Sequence, residues 1–236
     1  MKSTNFPLIL VAAIALSACS KQPVPAATPQ PATTTPAAVE SAPVDVPGGA
    51  YTLDKSHASL LFRVDHLGFS NYTARFLRFD ATLTFDPANL AASSATVTVD
   101  PRSLETDYPD VAKLDFNAQL QSEQWLNSAQ YPQMTWQSTS VEVLAPRRMK
   151  LHGDLTLRGV TRPVTLDATF NGGYAGHPMD PNARIGFSAR GTLNRSDFGM
   201  GYGIPEAGST MGVSDAVEVI IEAEFSGPPL ASAATE

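Results

Sequence analysis

From Leu60 onward, apolar residues recur at every second position, and this period constrains the fold more than any other feature of the chain. Leu60, Phe62 and Val64 alternate with Leu61, Arg63 and Asp65; Leu77, Phe79, Ala81, Leu83 and Phe85 alternate with Arg78, Asp80, Thr82 and Thr84. Further rows run through Ala95–Val99, Met134–Val143, Met149–Leu157, Val164–Phe170, Ile185–Leu193 and Val217–Phe225. A period of two is that of a strand with one buried and one solvated face, and a helix cannot satisfy it. Eight such runs predict an all-β, antiparallel sandwich or barrel. The row beginning Met134 and Trp136 changes parity before Val141, which predicts a bulge. Asp86-Pro87-Ala88-Asn89 and Asn171-Gly172-Gly173 read as turns. Only 109–126 lacks alternation; Val111, Leu114, Ala118 and Trp125 fall there at roughly helical spacing, predicting one or two short helices over an end of the sheet.

The amino terminus has a different character. Lys2 is followed by an apolar stretch, Phe6 to Leu16, too short to cross a bilayer, and then by Leu16-Ser17-Ala18-Cys19. This order predicts a signal peptide over 1–18. The last four residues resemble a bacterial lipobox, which implies acylation of Cys19, the only cysteine of the chain. Ser20 resembles the signal for outer-membrane sorting, so the expected location is the bacterial envelope, as an outer-membrane lipoprotein facing the periplasm. Residues 19–50 then form an acylated cysteine and a Pro/Ala/Thr-rich linker, with seven prolines and few large apolar side chains. The barrel is expected over 51–227 and a disordered tail over 228–236.

An eight-stranded barrel encloses room for one small ligand, or is filled by its own side chains; the rows alone leave both open. If a cavity exists, its lining comes from the inward rows: Phe62 and Val64, Phe79 and Leu83, Trp136, Leu155 and Phe187. His66 and Arg195 continue two of these rows to their ends, with Phe198 just beyond. A polar group there suits the head of an amphiphile, and the forked donors of arginine suit phosphate; equally, both residues could be held by neighbouring backbone. The four histidines lack metal-site spacing. Asp54, Ser56 and His57 are adjacent, but a catalytic triad is defined by geometry, and no Gly-x-Ser-x-Gly elbow is present. Asp197-Phe198-Gly199 lacks the other kinase motifs, and the glycines at 199, 201 and 203 precede no helical pattern; a mobile loop at a barrel mouth is expected there. With 16 Lys and Arg against 23 Asp and Glu, the chain has a net charge of −7 and no basic cluster, so nucleic acid is not an expected partner.

Several phrases together resemble the YceI-like family, also called polyisoprenoid-binding proteins. They are Tyr51-Thr-Leu-Asp54-Lys-Ser-His57, Phe62-Arg-Val-Asp-His66-Leu-Gly68, Phe85-Asp86-Pro87, Tyr131-Pro132, Gly153 to Val164, and Asn194-Arg195-Ser-Asp197-Phe198-Gly199-Met200. One stretch, Leu114 to Leu120, departs from the family's Arg-Asp-x-His-Leu. The resemblance implies a secreted, lipocalin-like antiparallel barrel holding a long isoprenoid or similar lipid. It implies a binding protein rather than an enzyme, with a polyisoprenoid, a quinone or a fatty-acid derivative as the bound molecule. The alternatives are a solid-cored interaction module and an accessory to quinone-dependent electron transfer. The expected partners are thus a long-chain lipid and, through Cys19, a membrane; no protein partner is indicated.

Overall fold

The computed structural model describes residues 45–229. The predicted signal peptide, Cys19, most of the linker and the tail from residue 230 lie outside the described residues.

Ten strand segments form one antiparallel sheet. They are β1 (Gly49–His66), β2 (Ser70–Phe76), β3 (Phe79–Phe85), β4 (Ser94–Val99), β5 (Leu104–Glu105), β6 (Met134–Ala145), β7 (Arg148–Leu157), β8 (Val160–Tyr174), β9 (Asn182–Asn194) and β10 (Val213–Pro229). β2 and β3 pair with successive parts of β1, and β5 and β4 pair with β2 and β3 in turn. Each couple is therefore one long strand bent in the middle, which reduces ten segments to eight staves. β10 pairs with β1 from Thr52↔Ser226 to His66↔Val213 and closes the ring, leaving an eight-stranded barrel. The one α-helix among the described residues, α1 (Phe116–Gln121), is capped by Asp115, whose carboxylate accepts from Ala118 N.

The bends have local causes. At Leu77–Arg78 the chain leaves the β1 ladder, and Leu77 N donates to Ser103 O while Arg78 N donates to Ser103 Oγ. The facing strand breaks at the same height, in a 3-10 turn over Pro101–Ser103. Leu77, expected to face inward, is instead exposed at this hinge. The anticipated bulge in β6 is present between Ser138 and Ser140. The Asp86 turn also forms, with Asp86 Oδ1 accepting from Ala88 N and Asn89 N.

Two expectations are corrected. Asn171-Gly172-Gly173 is not a turn: β8 runs through it with a bulge between Phe170 and Gly172. Glycine is needed there because a Cβ on Gly173 would lie 2.3 Å from Arg184 O on the neighbouring strand. The domain also extends past 51–227 at both ends, since Val46 is buried against the core, β1 begins at Gly49 and β10 ends at Pro229.

The barrel has a plugged end and an open end. At the plugged end Tyr51, Phe85, Ile185 and Phe225 pack together, and Tyr51 Oη donates to Pro47 O at 2.7 Å. Phe187 sits amid three rings there, with centroids 6.1 Å from Phe85, 5.3 Å from Phe170 and 6.2 Å from Phe225. The open end carries the loops following β1, β5, β7 and β9.

Candidate functional site

An apolar cavity of about 470 Å³ occupies the barrel toward its open end. That volume lies within the roughly 300–1,000 Å³ typical of small-molecule sites. The walls come from the inward rows of nearly every stave, and the segment between β5 and β6, including α1, covers the mouth with Tyr108, Phe116, Leu120 and Trp125. Such a lining offers water almost no partners, whereas a buried water needs about two to four. The cavity suits hydrocarbon.

A second, smaller cavity of about 100 Å³ lies toward the plugged end. Val97, Trp136, Leu166 and Ile221 line both, so the two cavities follow one another with these side chains as the partition. Trp136 is fixed in place: its indole N–H donates to Val164 O at 3.1 Å, and its ring rests directly on Gly153. A Cβ at Gly153 would stand 2.3 Å from the Trp136 ring and 2.6 Å from Gln137 O. Glycine 153 is therefore a packing requirement of the tryptophan.

Of the anticipated lining residues, Phe62, Val64, His66, Trp136, Leu155 and Arg195 line the main cavity. Leu83 and Phe187 line the smaller one, and Phe79 borders a groove on the outer wall. Phe198 lines none of these cavities: it follows Arg195 in a 3-10 turn and is buried in the core. His66 is exposed at the rim.

Arg195 has a different task from holding a head group. It is 3 % exposed, and its guanidinium donates to Ser214 O, Met200 O, Tyr202 O and Val213 O at 2.7–2.9 Å. Its Cζ lies 5.3 Å from the Trp125 ring centroid. Burial lowers its pKa and Asp215 opposes the shift, but a guanidinium keeps its charge. Arg195 thus clasps both ends of the glycine-rich 199–213 loop, which lies at the mouth as expected but is tied down. Arg158 joins the same assembly from the β7–β8 turn, donating to Gly199 O at 2.7 Å and Glu123 O at 3.1 Å. In the departing stretch, Asn117 makes its own polar contacts: its Oδ1 accepts from Thr106 N and Oγ1, at 3.0 and 2.6 Å.

Away from the cavity, Asp54-Lys55-Ser56-His57 bulges out of the wall, because β1 shifts register against β10 between Leu53 and Ala58. Asp54 organises it, meeting His57 Nδ1 at 3.1 Å, Ser56 N at 3.0 Å and Arg184 Nη1 at 2.6 Å. Its carboxyl is held down to about 2, chiefly by the His57 hydrogen bond, and the His57 pKa is raised by the same bond. Ser56 meets Asp54 through its backbone, so the adjacency in sequence does not assemble a Ser–His–Asp relay. Glu224 also approaches His57, which brings three metal-type ligands together. The Asp54 oxygen nearest His57, however, is the one that Arg184 occupies, and that guanidinium already supplies the positive charge.

Fold and cavity together define a closed antiparallel β-barrel protein with an apolar interior cavity. The chain belongs to the YceI-like family, whose domain model matches residues 51–225. It is 38% identical over 178 residues to Protein YceI of Escherichia coli O157:H7, covering 74% of this chain and 85% of that one. A UPF0312 protein of Vibrio cholerae is 35% identical over 190 residues, covering 80% and 93%. Among solved structures, a Campylobacter jejuni YceI protein superimposes with a TM-score of 0.58 at 31% identity, covering 75% of this chain and 98% of that one.

Proposed function

We propose that this protein binds and carries, or sequesters, one long-chain apolar molecule of the isoprenoid type. The observation that carries this reading is the 470 Å³ cavity lined almost wholly by apolar side chains. A dozen buried carbons, at about 0.8 kcal/mol per methylene, contribute ~10 kcal/mol before association costs. That burial favours an occupied state, and the cavity tells against a solid-cored module. The reading is one of binding rather than catalysis. The chemistry of the lining accepts a quinone tail as readily as an isoprenoid alcohol, so service to a quinone-dependent partner is the second form of the proposal.

The two tryptophans of the chain, Trp125 and Trp136, both line the cavity, so intrinsic fluorescence reports on it directly. Titrating delipidated protein with a long-chain isoprenoid alcohol should give a saturable change at one equivalent. Emission that stays flat through the titration would refute the reading.

We also propose that Cys19 is acylated and holds the protein in the bacterial envelope. Cys19→Ala should release it from salt-washed membranes; a variant that still sediments with them would overturn the anchor.

A further inference from the structure

The barrel wall has a gap. On one side β1 pairs with β3 through Gly49–Thr52 and with β2 from Leu60 onward, so Leu53–Ser59 have no ladder partner there. The gap faces the hinge at Leu77–Arg78 and the 3-10 turn over Pro101–Ser103. Over it lies an outer groove of about 540 Å³. Leu60, Phe76 and Val99 line both this groove and the main cavity, so one layer of apolar side chains separates the two.

Four cations line the groove, Lys55, Arg75, Arg78 and Arg102, against two carboxylates, Asp80 and Asp100, in a chain that is acidic as a whole. Their ion pairs are Lys55–Asp80 at 2.6 Å, Arg75–Asp107 at 3.0 Å, and Arg78 and Arg102 on Asp100 at 3.0 Å each. These pairs leave donors over. Arg102 uses only Nε and Arg75 only Nη2, so among the described residues both Nη groups of Arg102 are free. At the mouth the balance is reversed: Arg195 gives its donors to four carbonyls, and Phe69, Tyr202 and Met211 stand exposed on the loops of that end.

Building on the carrier reading above, we propose that the ligand is an anionic amphiphile whose phosphate or carboxylate head lies in the side groove, on Arg75 and Arg102, while its chain passes between Leu60, Phe76 and Val99 into the cavity. The mouth then serves as the apolar end of the tunnel, and selectivity for the head group resides in the wall. Two carboxylates flank the site, so the head must compete with Asp100 and Asp107 for the arginines. Forked, charge-assisted bonds to phosphate make that exchange feasible.

The test compares hexadecyl phosphate with hexadecanol, ligands of one chain length, on the full chain and on its Arg75→Gln/Arg102→Gln variant, with near-UV circular dichroism to verify the fold. The wild type should bind the phosphate about tenfold more tightly. The double variant should lose that preference to within about twofold while keeping its hexadecanol affinity. A wild type indifferent to the head group, or a variant that retains the preference, overturns the groove assignment and leaves the carrier reading standing. Failure of the wild type to bind either ligand overturns both. Inorganic phosphate that displaces hexadecyl phosphate at equal concentration would make the groove a site for free anion and also overturn the proposal.

Discussion

The barrel is open at one end and plugged at the other, and a carboxylate placed toward each end should expose the difference. Phe187→Asp removes a ring that packs against Phe85, Phe170 and Phe225 at the plugged end. Loss of a core phenylalanine costs about 3–5 kcal/mol. Phe187 is partly buried on the wall of the smaller cavity, whose lining is almost wholly apolar, so the new carboxyl meets no polar partner there. An unpaired acid in such a place adds several kcal/mol even when it protonates. The sum, roughly 6 kcal/mol or more, is most of a typical domain's stability. Val64→Asp lies in the main cavity two residues from His66, which is exposed at the rim. There the carboxylate reaches water, and the loss is that of one valine contact surface, about 2 kcal/mol. Urea denaturation of delipidated protein, followed by near-UV circular dichroism, should place the two variants ~4 kcal/mol or more apart, with Val64→Asp folded but unable to bind an apolar chain. Variants that agree to within ~1 kcal/mol would refute the distinction between a plugged end and an open one.

Three further outcomes follow from the geometry. Gly153→Ala should destabilise the domain by about 1–3 kcal/mol, because the added methyl meets the Trp136 ring and Gln137 O; a melting temperature equal to wild type would contradict this packing. Arg195→Gln should raise hydrogen exchange across 199–213 and weaken neutral and anionic ligands alike, since the guanidinium holds the loop; selective loss of anionic ligands would return it to the role of a head-group residue. The bulge at Asp54 gives opposed pH dependences. Asp54, with its pKa lowered to about 2, contributes stability that is complete above its unfolded value near 4 and is lost as pH falls from there toward 2. His57, with its pKa raised, contributes stability that is complete below about 6.5 and lost as pH rises through its folded value. Thermal melts of Asp54→Asn should show both slopes reduced relative to wild type. The remaining acid slope comes from Asp100, Glu105 and Asp180, whose carboxyls are also held down. Slopes equal to wild type would assign them elsewhere.

The eight staves were legible because each has one wet face, which writes a period of two into the sequence. The Ser70–Phe76 half of the second stave was not, because Asn71, Thr73 and Arg75 alternate with only Tyr72, Ala74 and Phe76 before the hinge interrupts the row. Parity found most of the cavity wall, including Phe62, Val64, Trp136 and Leu155. It could not say that Arg195, on the same inward row, would be claimed by four carbonyls of a loop that returns to it. Nor could it show that the hinges at Leu77 and at Pro101–Ser103 stand side by side and open the wall, since that is a property of neighbouring strands and not of either one. Gly172 and Gly173 misled for a related reason: glycine marks a close approach between strands as readily as a turn, and only the position of Arg184 decides between them.

The central claim is that the cavity is occupied by a long apolar chain. Protein purified from its native host without detergent exchange, transferred to the gas phase under native conditions and then extracted with organic solvent, tests it most directly. The account predicts an intact mass exceeding that of the processed, acylated polypeptide by one non-covalently bound lipid, which the extract then contains in a one-to-one ratio to protein. A folded protein whose intact mass carries no adduct, and whose extract is blank, would contradict it.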